Sequence, residues 1–457
     1  MAIAARRPPL WAAATACFVL ASTFLALTYE SSIVIHAPAA YLRVAPRSGS
    51  VHILFSTSCD QGHRRLLSST FQHSATRVHH RGPITEIISG CSLAQETSIK
   101  HEPVLYYDYH RHFAPSFSPH PVPNVTDDYT PYNKPFGLRH YLQHARPPAS
   151  LRGDLPFALF DADFVLLAPL HVNTGADLSA HYVGQRPGPV YDTVRDGVAI
   201  AHDWGNYMGA AWFRDALHST RDELCAGLPC ADVSEADGLE FYGRAGPPYI
   251  MTKSDGERFV NDYCDFVVRA RQKFPDQWMV EMYAYSLAAG NHGIKHTIVN
   301  HLGGNWPGGE PLEAWDFAPA NMANPCDDGD VVLPPTAPTA MHYCQRFGLL
   351  EDQDKGYHFY KYSLPHDVMD CNAMLLSLPP PSQWTDVNRT YSDEGKRRVK
   401  RHEVWAACSL AKIMNDAIVH AKAKGCLHGY NAYEGLPMNE TPARDSAYPR
   451  KATPAKK

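Results

Sequence analysis

The chain has 457 residues, of which 44% are hydrophobic and 19% are charged. This composition is typical of a folded protein with a sizeable core and excludes a largely disordered chain. The formal net charge is −5 and no dense basic patch with interleaved aromatic residues occurs, so nucleic acid is not expected as a partner.

The N-terminal segment from Leu10 to Tyr29 is uncharged and mostly apolar, with Arg6 and Arg7 before it and Glu30 after it. About 20 such residues are enough to span a bilayer as a helix. The arginines favour a cytosolic N-terminus. A cleaved signal peptide is the alternative, but its apolar core is usually about 7–15 residues long. We therefore predict an uncleaved anchor that places the rest of the chain in the lumen of the secretory pathway.

Two further features agree with that compartment. Of the 11 cysteines, Cys17 lies in the predicted anchor, which leaves an even number for the lumen. An even number is typical of disulfides in an oxidising compartment, and the candidate pairs are Cys225–Cys230 and Cys59–Cys91. No metal-ligand spacing of cysteines occurs, so structural zinc is not expected. Sequons for N-glycosylation occur at Asn124, Asn388 and Asn439.

Segments with strand character alternate with segments of helical periodicity. The predicted strands are 51–57, 84–88, 104–109, 157–167, 247–251 and 295–300. The predicted helices are 61–78, 133–144, 254–271, 277–289 and 397–423. In the third helix, Ser254 is the expected N-cap and Glu257 completes a capping box. The alternation indicates an α/β fold with a mostly parallel central sheet.

The strand 157–167 is apolar except for Asp161 and Asp163. Burying an unpaired carboxylate costs several kcal/mol, so this pair implies a cation or another charged partner. In a continuous strand the two side chains point to the same face and can enter one site. Two other Asp-x-Asp sequences, 328–330 and 352–354, lie in polar surroundings and are interpreted as surface.

The chain resembles the peptidyl serine α-galactosyltransferases of plants and green algae and, more distantly, the hydroxyproline O-arabinosyltransferases. The matching segments occur in the same order over roughly residues 51 to 430, whereas 184–247 matches least well. These segments are 82–91, 133–137, 160–164, 278–286, 293–296, 341–343, 357–361, 370–372 and 379–381.

The resemblance implies a GT-A-like nucleotide-sugar-binding fold in which Asp161 and Asp163 hold Mn²⁺ or Mg²⁺ on the diphosphate of a UDP-sugar. It implies that His342 completes the cation site. A lysine is a compact charge suited to phosphate, and Lys134 and Lys361 are the donor-binding candidates together with Asp161.

Glu281 lies among aromatic and apolar residues and is the candidate catalytic carboxylate, either near the reacting carbon or salt-bridged in the core. Trp278 and Trp306 either stack on sugar or base or belong to the core.

The resemblance implies a metal-dependent, retaining glycosyltransferase that moves galactose from UDP-galactose onto serine of hydroxyproline-rich polypeptides. Transfer of arabinofuranose from its UDP donor onto hydroxyproline is the alternative activity. An inactive lumenal protein that binds glycans or peptides is the alternative of another class. A glycoside hydrolase fits less well, because its two carboxylates stand about 5–10 Å apart across a sugar.

Together these inferences predict that the chain is a single-pass type II membrane protein of the Golgi or endoplasmic reticulum. The expected boundaries are a cytosolic segment at 1–9, the anchor at 10–29, a stem at 30–50, a lumenal glycosyltransferase domain at 51–382, a helical extension at 383–435 and a disordered tail at 436–457.

Overall fold

The structure is a computed structural model of the chain. It describes residues 49–119, 121–145, 155–208, 211–213, 218–309, 315–318, 322–327, 330–331, 333–349 and 357–436, which fall within one compact unit. The predicted anchor, most of the stem and nearly all of the tail lie outside these residues. Among the described residues, no helix is both long enough and apolar enough to cross a membrane.

A seven-stranded sheet forms the centre of the fold, in the order β3-β2-β1-β4-β7-β6-β8. The pairs β1/β2, β2/β3, β1/β4 and β6/β8 are parallel, whereas β7 runs antiparallel to both β4 and β6. The predicted mostly parallel sheet is therefore confirmed. The strands are β1 (His52–Ser58), β2 (Ile84–Ser89), β3 (Tyr109–Ala114), β4 (Phe157–Asp161), β6 (Val198–Asp203), β7 (Ala245–Met251) and β8 (Lys295–Val299).

Six shorter strands form two-stranded pairs outside this sheet, β5 with β9, β10 with β11 and β12 with β13. Their bounds are β5 (Phe164–Leu166), β9 (Ala340–His342), β10 (Phe347–Gly348), β11 (His358–Phe359), β12 (Leu375–Leu376) and β13 (Glu434–Leu436). The helices are α1 (Arg64–Arg77), α2 (Leu93–Lys100), α3 (Asn133–His144), α4 (His218–Cys225), α5 (Glu235–Asp237), α6 (Lys253–Lys273), α7 (Val280–Asn291), α8 (Ser382–Thr390) and α9 (Glu394–Gly425).

Both faces of the sheet are covered, because alternate residues of each central strand enter different cores. Ile53 and Phe55 of β1 pack in the core that contains α1 and α9. Leu54, between them, packs in the core that contains α3, α6 and α7. Because helices cover both faces of the sheet, the edge where the strands end is where polar side chains can come together.

The structure corrects the prediction of one long strand at 157–167. Strand β4 ends at Asp161, Ala162 and Asp163 form a turn, and β5 then pairs with β9 in a separate two-stranded sheet. A buried strand cannot carry two charges through its middle at low cost. The chain instead turns at the sheet edge, where both carboxylates remain close together.

Two other details of the secondary structure were wrong. The third strand is Tyr109–Ala114 rather than 104–109, because the hydroxyl of Tyr106 bonds the carbonyls of His80 and Gly82 and fixes the preceding residues as a connection. Helix α6 begins after Thr252, whose side chain accepts a bond from the backbone N–H of Asp255. Thr252 also fits the capping pattern and directly follows β7, so it replaces the expected cap Ser254.

The predicted disulfides Cys59–Cys91 and Cys225–Cys230 are confirmed. Two more, Cys326–Cys408 and Cys371–Cys426, were not predicted. They join the long helix α9 and its end to distant loops across 82 and 55 residues, respectively. Long closed loops give the largest entropic restriction of the unfolded chain.

Helix α3 lies close to β1 and β2, and Gly137 permits this approach. A Cβ atom at Gly137 would stand 3.1 Å from Cγ2 of Ile87. We predict that Gly137→Leu lowers the free energy of unfolding by about 1–3 kcal/mol through overpacking, measured by chemical denaturation. The matched control is Gly395→Leu, because Gly395 is exposed in the first turn of α9. Equal stability of the two variants would contradict the close packing of α3.

Candidate active site

Five charged or titratable side chains from four parts of the chain meet at the edge of the sheet where β1 and β4 end. Asp161 is the last residue of β4, and Asp163 follows in the turn. His342 ends β9, Lys134 lies in the first turn of α3, and Lys361 follows β11. All five were predicted as site residues, and the structure brings them together.

Asp161, Asp163 and His342 offer three ligand atoms that all lie within 4.8 Å of one another. Two ligands held by one Mg²⁺ at about 2.1 Å each stand at most about 4.2 Å apart, so small side-chain movements are enough to close the site. The two carboxylates are oxygen donors that suit Mn²⁺ or Mg²⁺, and the imidazole adds a nitrogen donor of the kind that transition metals accept. The residues therefore fit the predicted divalent cation.

The short sheet of β5 and β9 brings His342 to the aspartates. Phe164 and His342 are register partners, and their rings stack with centroids 4.2 Å apart and an interplanar angle of 2°. The backbone N–H of Tyr343 donates to the carbonyl of Asp163 at 3.0 Å. His342 lies 179 residues beyond Asp163 along the sequence, and backbone pairing as well as packing fixes this candidate ligand beside it.

Each lysine is held by carboxylates of the site. Nζ of Lys134 lies 2.6 Å from Oδ1 of Asp161 and 3.0 Å from Oε2 of Glu281. Nζ of Lys361 lies 2.5 Å from Oδ2 of Asp163. Burial alone would lower the pKa of both lysines, but the carboxylates outweigh it and raise the pKa of each. Both lysines therefore carry a positive charge inside the site.

Asp163 and His342 each contribute to the pKa shift of the other. Burial would raise the pKa of Asp163, but Lys361 and His342 hold it well below its usual range. Burial would lower the pKa of His342, but Cys344 and Asp163 raise it to about 10. Strong shifts that arise from a specific set of charge partners are typical of functional sites.

Glu281, in the first turn of α7, is 3% exposed. It accepts hydrogen bonds from Lys134 and from the hydroxyl of Tyr263, and the hydroxyl of Tyr129 accepts from its backbone N–H. Burial raises the pKa of Glu281, and Lys134 partly offsets that effect. Glu281 is thus salt-bridged, as one of the two interpretations from the sequence expects, and it shares Lys134 with Asp161. Its catalytic role stays a prediction.

Sequence reasoning missed two buried residues, Asn305 and His202, that are connected to His342 by hydrogen bonds. Nδ1 of His342 donates to Oδ1 of Asn305 at 3.0 Å, and Nδ2 of Asn305 lies 3.1 Å from Nε2 of His202. Burial lowers the pKa of His202 to about 4, so its ring is neutral at physiological pH. Neither Asn305 nor His202 carries a local sequence signal for its place in the fold.

The segment that matches the family least also borders the site. The ring of Trp204 lies 5.4 Å from that of His342, and its indole N–H donates to the carbonyl of Pro247. The next residue back, Asp203, forms a two-bonded ion pair with Arg244 at 2.8 and 2.5 Å. The apolar setting of Asp203 at the end of a strand resembles that of Asp161 and was the available signal.

The remaining predicted residues are placed as follows. Trp278 is 43% exposed and Trp306 is 39% exposed, so neither is a core residue, and stacking on a ligand stays a prediction. Asn124 and Asn388 are exposed, as glycan acceptors must be, whereas Asn439 lies outside the described residues. Asp330 is exposed, in agreement with its interpretation as surface, and residues 352–354 also lie outside the described part.

Comparison with known proteins gives a sequence relative. A peptidyl serine alpha-galactosyltransferase of Arabidopsis thaliana is 24% identical over 356 residues, which are 76% of this chain and 36% of the relative. The chain thus spans about a third of the length of that relative. This similarity supports the relationship predicted from the collinear segments. No family model matches the chain.

Solved structures with similarity to the chain are also glycosyltransferases. The bifunctional enzyme WbbM, in its apo form, aligns with 65% of this chain and 46% of its own at a TM-score of 0.34 and 9% identity. The galactosyltransferase LgtC, in complex with donor and acceptor sugar analogues, aligns with 65% of this chain and 87% of its own at a TM-score of 0.32 and 13% identity.

We predict that Asp163→Asn lowers the affinity of the protein for Mn²⁺ more than about 100-fold, since even the outer partners of metal ligands contribute about 10–100-fold. Isothermal titration of the purified protein measures the affinity. Asp192→Asn is the matched control, because Asp192 is also buried but bonds Thr174 and Gly175 outside the site. Unchanged Mn²⁺ affinity in a folded Asp163→Asn protein would refute the assignment.

Proposed function

We propose that this chain is a metal-dependent glycosyltransferase with a GT-A-like fold. It transfers a sugar from a UDP donor, galactose being the first candidate, to serine in a hydroxyproline-rich polypeptide. The observation that carries the proposal is the convergence of Asp161, Asp163 and His342 with two lysines at one edge of a mostly parallel sheet. The name of the Arabidopsis relative supplies galactose as the candidate sugar and serine as the candidate acceptor residue.

The charges of the site favour binding the cation before the donor. A histidine must lose a proton to bind a metal ion. With His342 neutral, the carboxylates of Asp161, Asp163 and Glu281 exceed the ammonium groups of Lys134 and Lys361 by one negative charge. A divalent cation makes the site net positive by one charge, and this favours the subsequent binding of an anionic diphosphate. When bound, the cation neutralises charge on the departing UDP.

The two lysines have a role in binding the diphosphate. Each ammonium group is already fixed within 3.0 Å of a carboxylate that would share the cation or lie beside it. With a cation held by Asp161 and Asp163, Lys134 and Lys361 would be able to donate to phosphate oxygens. Fixed donors of this kind stabilise developing charge at little cost in reorganisation.

Glu281 is the candidate carboxylate for the reacting sugar. Its bonds to Lys134 and Tyr263 hold it in one orientation, and its burial strengthens its electrostatic effect. A fixed negative charge there would stabilise positive charge that develops on the sugar ring or orient the acceptor hydroxyl. Retention of the anomeric configuration is part of this proposal.

The proposed location is the membrane of the Golgi or endoplasmic reticulum, with the described residues in the lumen and one N-terminal helix as the anchor. Four disulfides support an oxidising compartment. The exposed sequons at Asn124 and Asn388 agree with it. Treating the protein from a eukaryotic secretory host with an N-glycosidase and measuring its mass tests this part of the proposal.

We expect the purified full-length chain, given Mn²⁺ and a panel of UDP-sugars, to add one hexose to serine of a Ser-(hydroxyproline)₄ peptide. Tandem mass spectrometry identifies the modified residue, and NMR of the product gives its anomeric configuration. A pentose on hydroxyproline would replace the galactosyl proposal by the arabinosyl one. Absence of transfer together with absence of UDP binding would favour the non-enzymatic alternative.

We predict that Glu281→Gln lowers kcat about 100-fold, the usual magnitude for loss of one preorganised electrostatic group, while UDP affinity stays within a few-fold. Steady-state kinetics and UDP titration measure the two effects. Asp255→Asn is the control, because Asp255 is a fully buried carboxylate paired with Arg258 near the opposite edge of the sheet. A normal kcat in the Glu281→Gln variant would remove Glu281 from the mechanism.

A further inference from the structure

Three buried polar side chains form a row that ends at the candidate cation site. Nδ1 of His202 lies 3.2 Å from the carbonyl oxygen of Val299, and Nε2 of His202 lies 3.1 Å from Nδ2 of Asn305. Oδ1 of Asn305 lies 3.0 Å from Nδ1 of His342. His202 and Asn305 are fully buried and His342 is 3% exposed, so water does not compete for these bonds.

The carbonyl of Val299 fixes which atom donates and which accepts in every hydrogen bond of this row. A carbonyl can only accept, so Nδ1 of His202 carries a proton and Nε2 of the neutral ring carries a lone pair. Asn305 therefore donates from Nδ2 to His202 and presents Oδ1 to His342. Because Oδ1 also can only accept, His342 carries a proton on Nδ1. When His342 loses one proton to bind a cation, the bond to Asn305 keeps the remaining proton on Nδ1 and leaves the lone pair on Nε2, the nitrogen on the side of Asp163.

The backbone holds each member of the row in place. His202 belongs to β6, whose parallel partner β8 ends at Val299. The backbone N–H of Gly304 donates to Ala340, and that of His342 donates to Gly304, so the loop that carries Asn305 is fastened to β9. A Cβ atom at Gly303 would stand 3.2 Å from the ring of His202, and glycine allows this close approach.

We propose that Asn305 and His202 are positioning residues, which hold His342 in the tautomer and orientation that present Nε2 to the divalent cation. This inference rests on the proposed function, because it concerns the same cation site. Residues that bond the second nitrogen of a metal-binding histidine fix its tautomer and raise its basicity, and their loss costs about 10–100-fold in metal affinity.

Two substitutions of Asn305 in the purified full-length chain test the proposal, with Mn²⁺ affinity measured by titration and stability measured by denaturation. Asn305→Leu removes both bonds, and we expect Mn²⁺ affinity to fall about 10–100-fold. Asn305→Asp keeps an acceptor for His342, so we expect it to bind Mn²⁺ more tightly than the leucine variant. The buried carboxylate destabilises the fold more than leucine does, so the order of stability is the reverse.

The opposite orders of Mn²⁺ affinity and stability distinguish a positioning role from a packing role. If Asn305 only stabilised the fold, the less stable variant would also have the lower Mn²⁺ affinity. Asn415→Leu is the matched control. Asn415 is also buried and bonds both backbone groups of Leu376, outside the site, so we expect unchanged Mn²⁺ affinity. If Asn305→Leu does not fold, His202→Leu tests the same row from its far end, with a smaller loss expected.

Unchanged Mn²⁺ affinity in folded Asn305→Leu or His202→Leu overturns the positioning role while the cation site stands. Failure of the unsubstituted chain to bind Mn²⁺ overturns the proposed cation site itself and this inference with it.

Discussion

The burial of three carboxylates in one place is the constraint on which the rest of the site depends. Asp161, Asp163 and Glu281 lie close together, and the side chain of Asp161, the most exposed of them, is only 24% exposed. Charges taken out of water are tolerated only when they are paired and hydrogen-bonded. Lys134, Lys361 and His342 supply that pairing, and a divalent cation fits among the same oxygens. A buried row of polar residues then keeps the histidine aligned.

The topology explains how distant segments satisfy this constraint. Parallel strands β1 and β4 end at the same edge of the sheet, and α3 packs against β1 and β2, which brings Lys134 within 2.6 Å of Asp161. The small sheet of β5 and β9 carries His342 back to the turn that holds Asp163. The site is therefore built on regular backbone pairing, which allows the precise placement that electrostatic catalysis requires.

Part of this arrangement could be predicted from the sequence. Aspartates are unusual in an apolar run, and this local feature was enough to predict Asp161 and Asp163 as site residues. His342, Lys134 and Lys361 have no unusual local sequence, and their place in the site was predicted from the family resemblance. Asn305 and His202 were missed, because their importance arises from hydrogen bonds across 103 and 37 residues of sequence. The continuous aspartate strand was wrong because periodicity within a segment does not reveal which strand it pairs with.

Anomalous diffraction from crystals grown with Mn²⁺ and UDP tests the central claim most directly. We expect one manganese peak about 2.2 Å from a carboxylate oxygen of Asp161, one of Asp163 and Nε2 of His342. Lys134 and Lys361 should then contact the diphosphate, while Asn305 keeps its bond to Nδ1 of His342. UDP bound without manganese, or manganese bound away from Asp163, would contradict the account.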